Sequence, residues 1–229
     1  LVLKISNQSS TGSFRSRASF KNAGTIDTIE CEVTVVKTAL ESGSDSRSFA
    51  RVDGIFYNKN ASGDSTGEIW AGIFIGDSGS GLEAWWAVEE KLDDNCDNWD
   101  NLGEGTLIDP GTLSYGTAYT VRISYNGSNG IKLTFNGVED TFTGPARQRD
   151  TVKEFKELDA GIDVDGGGST VYSHALFDNV YINDKASAYD TFNTAPLDAT
   201  KWDSLEVIRE ISDGQLRSGV QGCDSRGNV

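Results

Sequence analysis

Apolar and polar residues alternate along most of this chain, in short segments separated by turns. The pattern is clearest in TIECEVTV, where Cys31 and Val33 occupy one face and Glu30 and Glu32 the other. A period of two residues is typical of a β-strand with one buried face. We therefore expect Cys31 to point into a core as a free thiol, which behaves as a small apolar group.

The alternating segments predict many strands and no helical segment. Two turns carry Asn-Gly between apolar runs, at Asn126 and Asn136, and this is a strong hairpin signal. Evenly spaced strands joined by turns predict an all-β antiparallel sandwich. The residues 93–105 are predicted to form an acidic loop. The predicted strands are Leu1–Ile5, Phe14–Phe20, Ile26–Leu40, Phe49–Tyr57, Glu68–Ile75, Leu82–Leu92, Thr106–Ile108, Gly111–Leu113, Tyr119–Tyr125, Ile131–Phe135, Thr141–Phe142, Phe155–Val164 and Val171–Asn183.

Composition narrows the possible partners. The 229 residues include five Trp, seven Tyr and ten Phe, which is enough aromatic mass for one large β core or two small ones. The net charge of −15 disfavours nucleic acid and anionic membranes, because both require basic surface for binding. No apolar run is long enough to insert into a membrane. Acidic surface instead favours cations, notably Ca²⁺.

Three stretches resemble parts of one fold family. YTVRISYNGSNGIKLTFNG resembles the strand-turn-strand of concanavalin A-like and laminin-G-like jelly rolls. ALFDNVYIN is similar to their closing strand, and DTFNTAPLDATKWDSLEVIREISDGQL is similar to their opening segment. The resemblance covers most of the chain and implies a jelly-roll β-sandwich. It does not choose a function, because this fold hosts lectins, glycosidases, adhesion modules and structural repeats.

The opening segment stands at the C-terminal end of the sequence. We therefore divide the chain into residues 1–185, a jelly-roll body without its opening strands, and residues 186–229, which supply them. Three arrangements remain open: the segment closes its own sandwich, it is donated to a neighbouring subunit, or the chain is one unit of a tandem array. The apolar residues that would join subunits are Phe192, Leu197, Trp202, Leu205, Val207, Ile211 and Leu216.

Strand donation leads to the first functional prediction. An incomplete sandwich exposes unpaired backbone groups at its edge, and a strand from a second copy would satisfy them. Donor and acceptor surfaces differ, so the contact runs head to tail and propagates into a homopolymer. The absence of Met, even at position 1, favours an exported and processed chain. We thus expect a non-enzymatic extracellular or cell-surface filament protein, with Ca²⁺-assisted carbohydrate binding as the alternative.

The calcium prediction rests on the loop DDNCDNWDNLGE. Its oxygen atoms are spaced as in an EF-hand-type loop, although Asn98 stands where that loop has Gly, and no helices flank it. The alternative is an acidic surface loop without an ion. The predicted ligands are Asp93, Asn95, Asp97, the carbonyl of Trp99, Asn101 and Glu104.

Two further predictions concern cysteine and tryptophan. Cys96 and Cys223 lie in polar loops, and we expect any disulfide to join them, although sequence alone does not establish its geometry. Trp85 and Trp86 are adjacent on a predicted strand and must face opposite sides of the sheet. One is expected in the core, and the other is a candidate platform for a sugar ring. Ordinary packing of both rings is the alternative.

Catalysis is not expected from the carboxylates. The segment from Glu157 to Ile162 resembles the Glu-x-Asp-x-x-Glu strand of laminarinase-type enzymes but lacks the final Glu. Retaining hydrolysis of a glycosidic bond requires a pair of closely spaced carboxyl groups. Glu157, Asp159 and Asp163 share one strand face, which equally suits a solvated sheet surface. The sequence therefore predicts a protein that is not an enzyme.

Overall fold

A computed structural model describes most of the chain as two facing β-sheets. It covers residues 1–7, 12–40, 46–60, 65–93, 98–147, 155–164, 171–193, 197–205, 208–212 and 215–219, with the backbone alone from 203 onward. The strands are β1 (Val2–Asn7), β2 (Gly12–Phe20), β3 (Thr28–Ala39), β4 (Arg47–Asn58), β5 (Glu68–Asp77), β6 (Leu82–Lys91), β7 (Trp99–Ile108), β8 (Ala118–Tyr125), β9 (Gly130–Phe135), β10 (Val138–Thr143), β11 (Lys156–Val164), β12 (Val171–Ile182), β13 (Trp202–Leu205), β14 (Ile208–Ser212) and β15 (Gln215–Gly219).

The strand order gives an antiparallel sandwich, as predicted. One sheet has six strands in the order β1-β12-β3-β8-β9-β10, and the other has seven in the order β13-β2-β11-β4-β5-β6-β7. Strands β14 and β15 form a separate two-stranded sheet. No helix in the described part of the chain is long and apolar enough to cross a membrane.

The core lies between the two main sheets. Strand alternation supplies it, because every second residue of each strand points toward the facing sheet. Cys31 is 1% exposed there and its thiol is free, and burial raises the pKa of that thiol well above its ordinary value. The predicted inward position of Cys31 is therefore confirmed. Other residues of this core are Val33, Val52, Ile73, Ile123, Leu133, Leu158, Ala160 and Phe177.

The predicted hairpins are present. Strands β5 and β6 pair from Ile69 opposite Glu90 to Asp77 opposite Leu82. Strands β9 and β10 join through Asn136 and Gly137, whose φ angles of 48° and 85° are both positive. This backbone matches the right-handed twist of the flanking strands, which explains the preference for Asn-Gly.

One loop prediction and one strand prediction are wrong. The predicted acidic loop at residues 93–105 is a strand from Trp99 onward, and β7 pairs along β6. Its polar residues misled the prediction because β7 is an edge strand that exposes several of them to water. Gly111–Leu113 forms no strand. Polarity alone does not separate an exposed edge strand from a loop.

The segment after β12 packs against its own chain as far as Leu205. Strand β13 pairs with β2, and the Trp202 side chain is 3% exposed. The Trp202 ring stacks on Phe192 with centroids 5.4 Å apart and lies 4.5 Å from Phe20. Its indole Nε1 donates a hydrogen bond to Asp190 Oδ2 at 2.9 Å.

The other residues predicted to join subunits are placed less fully. Leu197 packs on the main core, and Leu205 ends β13. Ile211 and Leu216 lie opposite each other in the sheet formed by β14 and β15. Val207 lies outside the described residues. Closure or donation by residues beyond 205 therefore stays a prediction.

Replacement of Trp202 tests whether this segment completes its own sandwich. We expect Trp202→Ala to lower the free energy of unfolding by about 3 to 5 kcal/mol, as buried Trp truncation does. Urea denaturation at two protein concentrations measures the loss. The urea midpoints of the wild type and of Trp202→Ala, and the difference in their free energies of unfolding, should be the same at both protein concentrations.

Leu92, which is 44% exposed, provides the matched control for loss of apolar atoms. Leu92→Ala should change the free energy of unfolding by no more than about 0.5 kcal/mol. Unchanged stability in Trp202→Ala, or midpoints that rise with protein concentration, would contradict closure within one chain.

Candidate functional site

The outer face of the seven-stranded sheet, which points away from the six-stranded sheet, carries charged and aromatic side chains in register. Arg51 on β4 lies opposite Asp159 on β11 and opposite Phe74 on β5. Phe74 in turn lies opposite Trp85 on β6. One lateral row therefore connects a carboxylate, a guanidinium and two aromatic rings across four strands.

A second row runs beside the first. Asp53 lies opposite Glu157 and Gly72, and Ala87 connects Gly72 to Glu104 on β7. Asp53 is 0% exposed and Glu157 is 3% exposed. Carboxyl groups buried to this extent require partners, because an ionised group loses its hydration on burial.

Arginines supply the partners. Arg51 Nη2 donates to Asp159 Oδ2 at 2.6 Å, and its Nε lies 3.2 Å from Asp53 Oδ1. Arg15 contacts Asp159 at 3.5 Å, and Arg17 Nη1 donates to Glu157 Oε1 at 3.3 Å. This network corrects the prediction of a solvated face at Glu157 and Asp159. The alternating pattern placed them correctly on the sheet but did not reveal that three arginines pair with them.

Burial raises the pKa values of two carboxyl groups in this network. Burial raises the pKa of Asp53 to about 8 despite the nearby Arg51 guanidinium. Burial also raises the pKa of Glu157, against the effect of Arg17. The Asp53 Oδ2 atom accepts a hydrogen bond from the Trp70 indole at 2.7 Å. In the described part of the chain, Asp53 Oδ1 and Asp159 Oδ1 accept none.

The same carboxylates form the one compact acidic cluster among the described residues. Asp53, Glu157 and Asp159 each offer an oxygen within 4.8 Å of the others. The Arg51 guanidinium already contacts two of the three, at 2.6 and 3.2 Å. A cation in the cluster would be repelled by this guanidinium, so the arrangement is an ion-pair network.

The Trp85 side chain lies on this outer face. Its ring stacks on Phe74 with centroids 4.8 Å apart and an interplanar angle of 4°. Gly76 makes this possible, since a Cβ there would lie 2.9 Å from the Trp85 ring and 2.5 Å from the Ser48 carbonyl oxygen. Trp86 points to the other side, is 7% exposed in the core, and donates to Asp140 Oδ2 at 2.9 Å.

An open depression lies beside the half-buried Trp85 ring. Glu83 Oε1 accepts a hydrogen bond from Ser78 Oγ at 2.8 Å, and Glu104 Oε2 accepts one from Asn101 Nδ2 at 3.1 Å. A fixed aromatic ring among polar groups can stack on an apolar ligand face and bond to its hydroxyls. The residues that line the depression are Arg47, Ser78, Glu83, Trp85, Glu104, Gly105 and Thr106.

The predicted calcium ligands are distributed differently from the expected loop. Trp99, Asn101 and Glu104 belong to the extended strand β7, in which successive residues are about 3.3 Å apart. An EF-hand-type loop winds around its ion, so the assumption of such a loop is wrong from Trp99 onward. Asp93 precedes the strand, whereas Asn95 and Asp97 lie outside the described residues. Binding of Ca²⁺ stays a prediction.

Other predicted positions have separate outcomes. Cys96 and Cys223 both lie outside the described residues, so their pairing stays a prediction. Trp70 is 6% exposed and belongs to the apolar cluster of Phe74, against which Trp85 packs. The half-buried Trp99 ring has the Lys91 ammonium 6.0 Å from its centroid.

Sequence reasoning missed Arg47, Glu83 and Arg51 as site residues. Alternation on each strand places their side chains on one face, and that signal was present in the sequence. The register between strands decides which of them become neighbours, and no local pattern records that register.

Comparison by sequence assigns no family. No protein-family model matches the chain, and a search of curated proteins found no similar sequence.

Comparison by structure identifies similar β-sandwiches. The kappa-carrageenase from Pseudoalteromonas carrageenovora, in complex with an oligotetrasaccharide, is 9% identical with a TM-score of 0.42, covering 77% of this chain and 80% of that chain. A GH16 protein of the Bacteroides ovatus mixed linkage glucan PUL is 9% identical with a TM-score of 0.41, covering 76% and 94%. Sheep galectin-11, in complex with glycerol, is 9% identical with a TM-score of 0.33, covering 72% and 95%.

The two-sheet antiparallel β-sandwich of the described strands is consistent with the predicted concanavalin A-like jelly roll. The prediction that the protein is not an enzyme is nevertheless corrected, because the structures found include a carrageenase and a GH16 protein in complex with a product. The absence of the motif's final Glu, at the position of Ile162, was an insufficient reason to exclude catalysis. At these identities and TM-scores the comparisons assign no activity to this chain.

The raised pKa of Asp53 predicts a pH dependence of stability. Its folded-state pKa, about 8, exceeds the ordinary value of 3.8, so the folded protein retains a proton that the unfolded chain releases. This contribution is complete below pH 3.8 and is lost as the pH rises to about 8. The Asp53 carboxyl should therefore contribute a fall in stability across this interval.

Asp53→Asn should remove this contribution. Between pH 4 and 8, we expect the free energy of unfolding to fall less in the variant, by more than about 1.4 kcal/mol, the equivalent of one pKa unit. Urea denaturation at pH 4, 6 and 8 measures the difference. The exposed Asp109→Asn serves as control, and parallel profiles for wild type and Asp53→Asn would contradict the shift.

Proposed function

We propose that the protein binds carbohydrate in the depression beside Trp85. The observation that carries this proposal is the half-buried Trp85 indole, stacked against the parallel Phe74 ring 4.8 Å away. A ring fixed in this way loses little freedom on binding and offers its free surface to the apolar face of a pyranose.

The polar lining suits the hydroxyl groups of a sugar. Carboxylates accept hydrogen bonds from hydroxyls, and Glu83 and Glu104 are held in place by Ser78 and Asn101. The exposed Arg47 guanidinium can donate to sugar oxygens at the end of the depression near Ser78. A small number of oriented polar groups beside an aromatic surface is typical of ligand sites. The proposal rests on these contacts and not on the low-identity structural similarities.

Calcium assistance, an extracellular location and bond cleavage are open extensions of this function. None is required for the stacking and hydrogen bonding that the depression offers. A carbohydrate-binding site on this face is compatible with each of them.

Replacement of Trp85 tests carbohydrate binding. We expect wild-type protein to bind members of a glycan array, and Trp85→Ala to weaken binding of the best ligand at least about tenfold, equivalent to about 1.4 kcal/mol. Isothermal titration, with and without Ca²⁺, measures the affinity. Mass spectrometry of the same samples detects any cleavage of the ligand.

Tyr172 provides a matched control because it is a half-buried aromatic on the outward side of the other sheet. Tyr172→Ala should bind like the wild type. A wild-type protein that binds no glycan, or a Trp85→Ala variant that binds as tightly as the wild type, would refute the proposal.

A second candidate function is head-to-tail assembly with further copies of this chain. It is favoured by the two-stranded sheet of β14 and β15, which pairs with neither main sheet within the described residues. An isolated two-stranded sheet is marginally stable in water and gains stability by packing on another surface. Strand β1 pairs only with β12, so its second edge is available to such a partner in the described structure.

Removal of residues 206–229 tests this candidate. Electron microscopy and light scattering should show polymers of the full chain and monomers of the shortened chain. The shortened chain retains Trp202, so its thermal unfolding should still be cooperative. A full chain that stays monomeric, or a shortened chain that still polymerises, would exclude this role for the segment.

A further inference from the structure

Two carboxylates flank the Trp85 ring on the outer face. Glu83 lies two residues before Trp85 on β6, so strand alternation places both side chains on that face. Glu104 lies opposite Ala87, two residues after Trp85. The ring therefore has one acidic group on each side along the strand direction, and both groups line the depression.

The hydrogen-bond donors to these two carboxylates are neutral groups, so they do not offset the negative charges. Glu83 accepts its hydrogen bond from the Ser78 hydroxyl, and Glu104 accepts from the Asn101 amide. Neither carboxylate takes part in an ion pair within the part of the chain that the structure describes. Hydroxyl and amide donors orient a carboxylate without neutralising it.

Two arginines of the outer face, Arg51 and Arg15, already form ion pairs with other carboxylates. Arg51 contacts Asp53 and Asp159, and Arg15 contacts Asp159 and Asp163. The carboxylates that these arginines contact therefore already act as their counter-charges.

The charged side chains that line the depression carry a net negative charge. Its lining includes two carboxylates, Glu83 and Glu104, and one guanidinium, Arg47. Arg47 lies on the row beyond Glu83, away from Glu104. The net charge of −15 over the whole chain adds a field of the same sign.

A third acidic side chain increases the negative potential at the Glu104 end. Glu89 lies opposite Asn101, on the same face as Glu104. Burial raises the pKa of Glu89, the Arg51 guanidinium opposes this effect, and the Glu104 carboxylate raises the pKa further. A cation placed between these carboxyl groups would relieve their mutual repulsion.

We propose, on the basis of the carbohydrate-binding function above, that the preferred ligand is an amine-bearing saccharide. Its ring stacks on Trp85, and its ammonium group lies on the Glu104 side of that ring. Carboxylates form charge-assisted hydrogen bonds to an ammonium, and the face of an indole attracts cations. An anionic saccharide would meet Glu83 and Glu104 with only Arg47 to offset them.

A set of matched oligosaccharides tests this inference. The probes are a glucosamine tetramer, its N-acetylated neutral form and a uronate tetramer, each titrated calorimetrically at pH 6. We expect the amine form to bind about tenfold more tightly than the neutral form and the uronate form to bind most weakly. The preference should decline as NaCl is raised from about 50 mM to about 500 mM, because salt screens exposed charges.

Charge-neutralising variants localise the effect. Glu104→Gln should reduce binding of the amine form about fivefold and leave binding of the neutral form unchanged. Glu139→Gln removes the same charge from β10, where Glu139 pairs with Lys132, and should leave both affinities unchanged. A fivefold loss in Glu139→Gln as well would assign the preference to the overall field and overturn the proposed ammonium position.

The outcomes separate this inference from the function on which it rests. Equal affinity for amine and neutral tetramers, with loss of both in Trp85→Ala, would overturn the amine preference and retain carbohydrate binding. Tightest binding of the uronate form would also overturn it, in favour of a site organised by Arg47. Absence of binding to all three probes and to the glycan array would refute both proposals.

Discussion

The outer face of the seven-stranded sheet depends on the position of one guanidinium. Arg51 lies between Asp159 and Asp53, with contacts of 2.6 and 3.2 Å, on the outward side of a sheet whose inward side packs the core. Loss of this guanidinium would leave buried carboxylates without their counter-charge, which typically costs about 3 to 5 kcal/mol. The burial of Asp159 on β11 therefore depends on Arg51 from β4, together with Arg15 from β2.

The aromatic layer is supported by the same residue. The Arg51 guanidinium lies 5.4 Å from the centroid of the Phe74 ring, and Phe74 carries the parallel Trp85 ring. Gly76 leaves space for the Trp85 ring. The proposed binding surface is thus the exposed end of a continuous row that begins in the buried ion pairs, which makes it rigid before any ligand arrives.

The β11 and β7 ends of this outer face differ in chemical character. Asp53 and Asp159 are buried, with arginine partners, and they maintain the structure of the sheet. Among the described residues, Glu83 and Glu104 accept hydrogen bonds from neutral groups and form no ion pair. The negative potential that would select a ligand therefore comes from the exposed carboxylates and not from the more conspicuous Glu-x-Asp sequence on β11. Sequence similarity to a known catalytic strand had directed attention to that buried end.

The sequence by itself determined the all-β class, most of the strands, the inward position of Cys31 and the opposite orientations of Trp85 and Trp86. These features follow from period-two alternation and turn chemistry, which are local properties of the chain. Only the tertiary structure decided that Glu157 and Asp159 are buried, that Trp99–Ile108 is an edge strand, and that Arg47, Glu83, Trp85 and Glu104 share one depression. Those features depend on register and pairing between strands distant in the sequence, where a shift of one residue exchanges the two faces.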